Sequence, residues 1–443
     1  MTTSYSSNEV ERMRQADPVT TQARTGGPRL APVYRIGLIC VFLVSLFSGG
    51  RSLVWYWSEG PYATDLRIFL TPVELIRTGH ASEIYKFGVE KDEQTRLFPD
   101  TEKTGFLSYN HLAYELLMYW PLAKLPYKTA LMVWAVINAG LILLIAWLFN
   151  PFTRALREFS GVPILLWMFA FYPLVHTLGE GQDSVVTMLL VMLSLWLMER
   201  KWEFSSGSVL GLALFKVHLA LGIAFLVFFV PRKWRGLAGF AASASLATGI
   251  SIAMVGPNFV NDYPHILREQ EAMTPWGFIP RFMPNFRGLF EWLLAGRLDL
   301  GSVLPIIFVF SLATVAVTWL AFRVRNTIRP TLLYGAAVPA VLLVSYHLHL
   351  QDLTLALLPM LVLLDACIKT ELRRGSALIL KLAVAGFYLF GALGVVAPYL
   401  LLHSALLAIP LLLLWVASLG NVIGAANQPE TNRAITETAG IAI

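Results

Sequence analysis

The chain has 443 residues, 56% of them hydrophobic and only 14% charged, with a net charge of +6. Soluble domains carry about 25% charged residues, so a deficit along the whole length means that the bilayer, not water, is the main solvent. A nucleic-acid partner is excluded by the placement of the charge, because most Lys and Arg fall in short clusters between apolar runs, as the positive-inside rule expects. The two cysteines, Cys40 and Cys367, form no ligand-like pair and imply neither a disulfide framework nor a zinc site.

Residues 1–35 are polar, with Arg12, Arg14, Arg24, Arg29 and Arg35, and read as a disordered cytoplasmic tail rather than a cleaved signal. The first span, Ile36 to Trp57, is long enough to cross a hydrocarbon core. A long polar stretch, 58–128, follows it and brings Asp65 to the outside. Within it Leu66, Phe69, Leu70, Val73 and Ile76 recur at helical spacing, which suits an amphipathic helix in the membrane interface. The aromatic segment Leu107 to Leu125 suits an interfacial or half-inserted position.

Further spans are expected at Thr129–Phe149, Val162–Leu178 and Ser184–Met198. Gly207 to Val230 is apolar but interrupted at Lys216-Val217-His218, which predicts two short helices meeting near the outer side. Leu237–Val255 is followed by a second external loop, 256–300, carrying Arg268, Arg281 and Arg287. The remaining spans are Val303–Phe322, Leu332–Tyr346, one ending at Ala366, Ala377–Val395 and Tyr399–Leu419, and a cytoplasmic tail occupies 421–443. The sum is an all-α integral membrane protein of about 11–13 spans, with one membrane domain at 36–420. Counting 207–230 as two passes keeps the basic clusters at 232–235, 323–329 and 369–374 inside, and one pass would move all of them outside.

Polar groups meet at one end in this topology: Asp65, Gln182 and Asp183, Lys216 and His218, and His347, His349, Gln351 and Asp352, with Arg281 and Arg287 nearby. Ionisable groups at membrane-helix ends mark substrate paths. Asp65 suits a general base for a hydroxyl nucleophile, and equally the N-cap of the helix that begins beside it. Lys216 suits a point charge on a phosphate, or a snorkelling side chain. His347 and His349 are two apart, so in a helix they would diverge, unlike the i,i+4 pair of a helical metal motif. Gln182 and Asp183 suit sugar hydroxyls or simply a polar turn, and Arg281 and Arg287 an anionic headgroup or a surface-packed loop. No Walker A loop, dinucleotide turn, Cys/His cluster or Asp-x-Asp pair occurs, so no nucleotide, cofactor or metal is expected.

The chain resembles glycosyltransferase family 87, the polyprenyl-phosphate-mannose-dependent, mannosyltransferase-like membrane proteins of the GT-C fold. The resemblance rests on Asp65 with Gly79-His80-Ala81 and Ile84-Tyr85, and on Pro121-Leu122-Ala123-Lys124-Leu125-Pro126-Tyr127 with Ala130, Trp134 and Asn138. It continues in Gly181-Gln182, Lys216, Asn285-Phe286-Arg287-Gly288 and Gln351-Asp352-Leu353-Thr354-Leu355 with Pro359, covering roughly 36–365. Two departures stand out: Lys216-Val217 where the family shows Lys-Pro, and Tyr109-Asn110-His111-Leu112-Ala113 where it shows Tyr-Pro-Pro.

The resemblance implies inverting transfer of a hexose, mannose by analogy, from a polyprenyl-phosphate donor to a lipid or glycan acceptor. It implies Asp65 as catalytic base; Lys216, His347, His349 and Arg287 on the donor phosphate; and Gln182, Asp183, Gln351 and Asp352 at the sugar or acceptor. The setting would be the inner membrane of a bacterium, with the site facing outward. The rivals are a transporter or flippase for lipid-linked precursors and a non-catalytic component of envelope assembly.

Overall fold

The computed structural model describes residues 29–60, 64–99, 105–272, 279–295, 297–324 and 328–424. Most of both expected tails, and Arg325, lie outside these. The described residues form helices and turns and no strand. The principal helices are α1 (Pro32–Glu59), α2 (Leu66–Arg77), α3 (Phe87–Leu97), α4 (Tyr127–Phe149), α5 (Ile164–Phe169), α6 (Tyr172–Glu180), α7 (Ser184–Glu199), α8 (Glu203–Gly211) and α9 (Val217–Ala224). They continue with α10 (Trp234–Val255), α11 (Phe259–Ala272), α12 (Phe286–Leu294), α13 (Leu300–Arg323), α14 (Pro330–Val344), α15 (Leu357–Ile368), α16 (Arg374–Leu393) and α17 (Ala408–Gly424).

Seven helical stretches are long and apolar enough to cross a membrane, and Ser184–Glu199, Val217–Phe229 and Pro330–Val344 are shorter apolar helices. The outer helices expose apolar side chains such as Met132, Val136, Leu143 and Trp147 on α4, and Phe308, Val309 and Leu312 on α13. In water so much exposed apolar surface would drive association, whereas in lipid tails it is at home. Of the most apolar window in each stretch, only 11% is buried in Leu300–Arg323 but 83% in Leu350–Ile368. The 350–368 stretch is therefore the centre of the bundle and α13 its rim.

Contacts sort the helix ends into two sets. At the basic end, the Leu30 amide donates to the Phe159 carbonyl (2.9 Å) and the Leu156 amide to the Asp365 carboxylate (2.9 Å). There too, the Thr331 amide donates to Glu199 (3.0 Å) and Lys233 pairs with Glu203 (2.8 Å). At the other end, the Asp65 amide donates to the Glu180 carbonyl (2.9 Å), Arg51 to the Gly394 carbonyl (2.9 Å) and Asn285 to the Ser345 carbonyl (2.6 Å). Successive turns alternate between the two sets, as a multi-pass chain requires.

Segment 207–230 makes two legs. A Cβ added at Gly207 would fall 1.8 Å from the Gly236 carbonyl oxygen, one at Gly211 would fall 2.1 Å from Ser243 Oγ, and one at Gly239 would fall 2.0 Å from the Phe204 carbonyl oxygen. These glycines let the backbones of α8 and α10 touch, the small-residue packing of membrane helices. Gly207 meets Gly236 and, one turn on, Gly211 meets Ser243, so α8 and α10 run parallel. The chain between them must turn back, and α9 with the π turn Phe225–Phe229 is the returning leg. Lys216 sits at the tip of this hairpin, level with the start of α7, where it donates to Ser184 Oγ (3.1 Å).

The expected amphipathic helix is α2, but its apolar face packs on protein rather than on lipid. Leu66, Phe69, Leu70 and Val73 are buried, and Phe69 stacks on Tyr119 with ring centroids 4.2 Å apart. The cause is α3, which ties down the following chain: Glu90 accepts from the Tyr109 amide (2.5 Å) and Ser108 Oγ (3.0 Å), and Gln94 exchanges two hydrogen bonds with the Leu107 backbone. The aromatic segment is then laid over α2 as short turns, including Leu116–Tyr119. The second expected loop is also largely helical, as α11 and α12.

Candidate active site

Asp65 occupies the position before the first turn of α2, but its side chain caps no backbone amide. Its Oδ2 instead accepts from Gln182 Nε2 at 2.6 Å. The cap interpretation is therefore not what the structure displays. Gln182 is held for this contact by the turn between α6 and α7. Gly181 adopts φ +74°, and a Cβ there would lie 3.0 Å from both Leu131 Cδ1 and Leu66 Cβ. Only glycine meets both demands without strain. Trp134 Nε1 closes the turn by donating to the Gln182 carbonyl (3.1 Å).

Asp65 is half-buried, and its other carboxylate oxygen accepts no hydrogen bond among the described residues. Burial pushes its pKa up to about 7, aided by the neighbouring Glu180 carboxylate and opposed by Gln182, Arg67 and His176. A base tuned near neutrality is suited to taking a proton in a transition state. Glu180 belongs to a small network in which Tyr56 Oη shares a hydrogen bond with His176 Nδ1 (2.9 Å) and His176 Nε2 lies 3.1 Å from Glu180.

A second cluster lies on the far side of the 181–184 turn. Lys216 is 4% exposed and bridges Asp183 Oδ1 (2.9 Å) and Asp352 Oδ1 (2.5 Å). It is thus not an open point charge: it joins the hairpin tip to the starts of α7 and of the 350–356 turn. Asp352 Oδ2 also accepts from the His349 amide (3.1 Å). Asp183 is buried in this pair and Gln351 is buried behind it, its carbonyl facing Thr177 Oγ1 at 3.4 Å. Of the four residues expected at the sugar or acceptor, Gln182 is the one that touches Asp65.

His347 and His349 do not diverge. They lie in an irregular turn between α14 and residue 350, outside any helix, and their Nε2 atoms are 3.0 Å apart. The helical spacing argument fails because α14 ends at Val344. Arg287 is 5% exposed, pairs with Glu291 (2.8 Å) and lies 4.2 Å above the Tyr346 ring. Arg281, by contrast, stays with Phe282 in the connecting turn.

The spacing arguments above leave out Glu180, His176, Tyr56, His111 and Glu115. His111 Nδ1 is 2.6 Å from Glu115 Oε2 and 3.4 Å from Asp183 Oδ2. Burial lowers the His111 pKa to about 4, so its imidazole is neutral at neutral pH. Burial and the adjacent Asp183 carboxylate raise Glu115 well above the ordinary range. The i,i+4 spacing of His111 and Glu115 was a signal within the sequence, but their partner Asp183 comes from a different segment.

The molecule is thus an all-α, multi-pass membrane protein with a tuned carboxylate and a buried ion-pair cluster at one end of the bundle. The family model of glycosyltransferase family 87 matches residues 115–346, just over half of the chain, and the chain belongs to that family. It is accordingly a glycosyltransferase, with a sugar donor and an acceptor as substrates. Comparison with curated proteins gives no match.

Proposed function

We propose that the chain transfers a hexose, mannose by analogy with the family, from a polyprenyl-phosphate donor to a hydroxyl of a lipid or glycan acceptor, with inversion at the anomeric carbon. The observation that carries this is the Asp65 carboxylate, with one oxygen anchored by Gln182 and a pKa of about 7. Asp65 takes the acceptor hydroxyl proton, the acceptor oxygen bonds to the anomeric carbon, and the bond from that carbon to the phosphate oxygen breaks with its electron pair leaving on the phosphate. The departing phosphate is met by Arg287 with His347 and His349, while Lys216 holds the site together through Asp183 and Asp352. Arg29, Arg35, Arg157, Lys233, Arg329 and Lys369 crowd the opposite end, which by the positive-inside rule faces the cytoplasm of a bacterium. Asp65 then works at the outer face of the inner membrane, where nucleotide sugars are absent and lipid-linked donors are the available source.

The test is transfer by purified protein in nanodiscs, comparing polyprenyl-phosphate mannose and glucose with their nucleotide counterparts. Product should form with a polyprenyl-phosphate hexose alone and carry the inverted anomer by NMR. Turnover of the nucleotide sugar with none from any polyprenyl-phosphate hexose would overturn the donor assignment.

A further inference from the structure

His111, Glu115 and Asp183 bring one imidazole and two buried carboxyl groups together. Glu115 and Asp183 are each 0% exposed. Three buried carboxylates, Glu115, Asp183 and Asp352, are served by one ammonium, Lys216, which bonds to Asp183 and Asp352. Buried carboxyl groups are paired, hold a proton or coordinate a metal, and metal binding releases the proton. Glu115 Oε1 is buried and receives no hydrogen bond among the described residues.

We infer that His111, Glu115 and Asp183 form a binding site for a divalent transition ion such as Mn²⁺ or Zn²⁺. One imidazole nitrogen and two carboxylate oxygens lie within 4.8 Å of one another, each available as a ligand atom. Ligands about 2.1 Å from a metal stand roughly 3.0 Å apart in an octahedron and 3.4 Å apart in a tetrahedron. The 3.4 Å between His111 Nδ1 and Asp183 Oδ2 already matches, and the 2.6 Å between His111 and Glu115 needs to open by a few tenths of an ångström. Lys216 meets Asp183 through Oδ1, which leaves Oδ2 for the ion. With the three carboxylates ionised, a dication together with the Lys216 ammonium brings the sum to zero. Tyr109 Oη borders Glu115 Oε2 at 3.4 Å while donating its proton to the Leu112 carbonyl (2.8 Å). Three protein ligands leave coordination positions free, on the same end of the bundle as Asp65.

The experiment is metal binding by the full chain in nanodiscs, stripped with chelator and titrated with Mn²⁺, read by elemental analysis and by EPR. One tightly held Mn²⁺ per chain is expected, with a ¹⁴N coupling from one imidazole. His111→Leu should abolish the nitrogen coupling, and Glu115→Gln should weaken binding at least tenfold. Glu115→Gln preserves shape and the contact to His111, so it serves if His111→Leu does not fold. No Mn²⁺ or Zn²⁺ retained by the parent protein, or equal retention by Glu115→Gln, would refute the site.

Discussion

Replacing Asp65 by Asn separates the two roles that its position allows. The amide is isosteric and its oxygen still accepts from Gln182 Nε2, which now bonds the side chain at 2.6 Å. The raised pKa, about 7 against an ordinary 3.8, means that folding disfavours the ionised form. Its sign is definite: the contribution to stability is complete below the unfolded pKa of 3.8 and is lost as pH rises through about 7. Three pKa units correspond to about 4 kcal/mol. Solvent screening of a half-buried group reduces this to about 1–2 kcal/mol. Asn carries no charge and escapes that loss, so above pH 7 the variant should unfold in detergent at the same temperature as the parent or a few degrees higher. Turnover should fall by about 10²–10⁴, the range for loss of a general base. The parent rate should rise with pH through about 7, and the residual rate of the variant should not. The assay pairs sugar transfer at saturating donor with a thermal melt across pH 5 to 9. A variant that melts earlier yet retains turnover would refute the base and restore the cap.

Two further predictions concern the frame around the site. Lys216→Met leaves Asp183 and Asp352 buried without their cation and should cost about 3–5 kcal/mol, seen as a sharply lower melting temperature that adding Asp183→Asn and Asp352→Asn partly recovers. Gly207→Ala places a Cβ 1.8 Å from the Gly236 carbonyl oxygen; α8 and α10 must separate, at a cost of about 1–3 kcal/mol, measured as reduced thermal stability, while Gly249→Ala, with open space around it, should leave stability unchanged.

Composition and periodicity were sufficient for the helical membrane class, because the bilayer imposes its requirement residue by residue along each span. They also pointed to a break at Lys216, since a Lys inside an apolar run makes a straight crossing costly, and the contacts of α8 with α10 decided that the segment makes two passes. What each polar residue does was a different matter. Asp65 begins an amphipathic helix, and local spacing fits a cap as well as a base; only the α6–α7 turn, held by Gly181 and Trp134, brings Gln182 to its carboxylate. Lys216 was legible as functional or structural, and tertiary contacts with two distant carboxylates decide that its charge is balanced within the protein. His347 and His349 converge because they lie in an irregular turn after α14, whose conformation side-chain spacing does not encode. The sequence by itself determined the membrane class, most of the spans and the end of the bundle at which polar groups gather. The tertiary structure alone decided which of those groups touch, because hydrogen bonds and ion pairs act over a few ångströms between segments that are far apart in the chain.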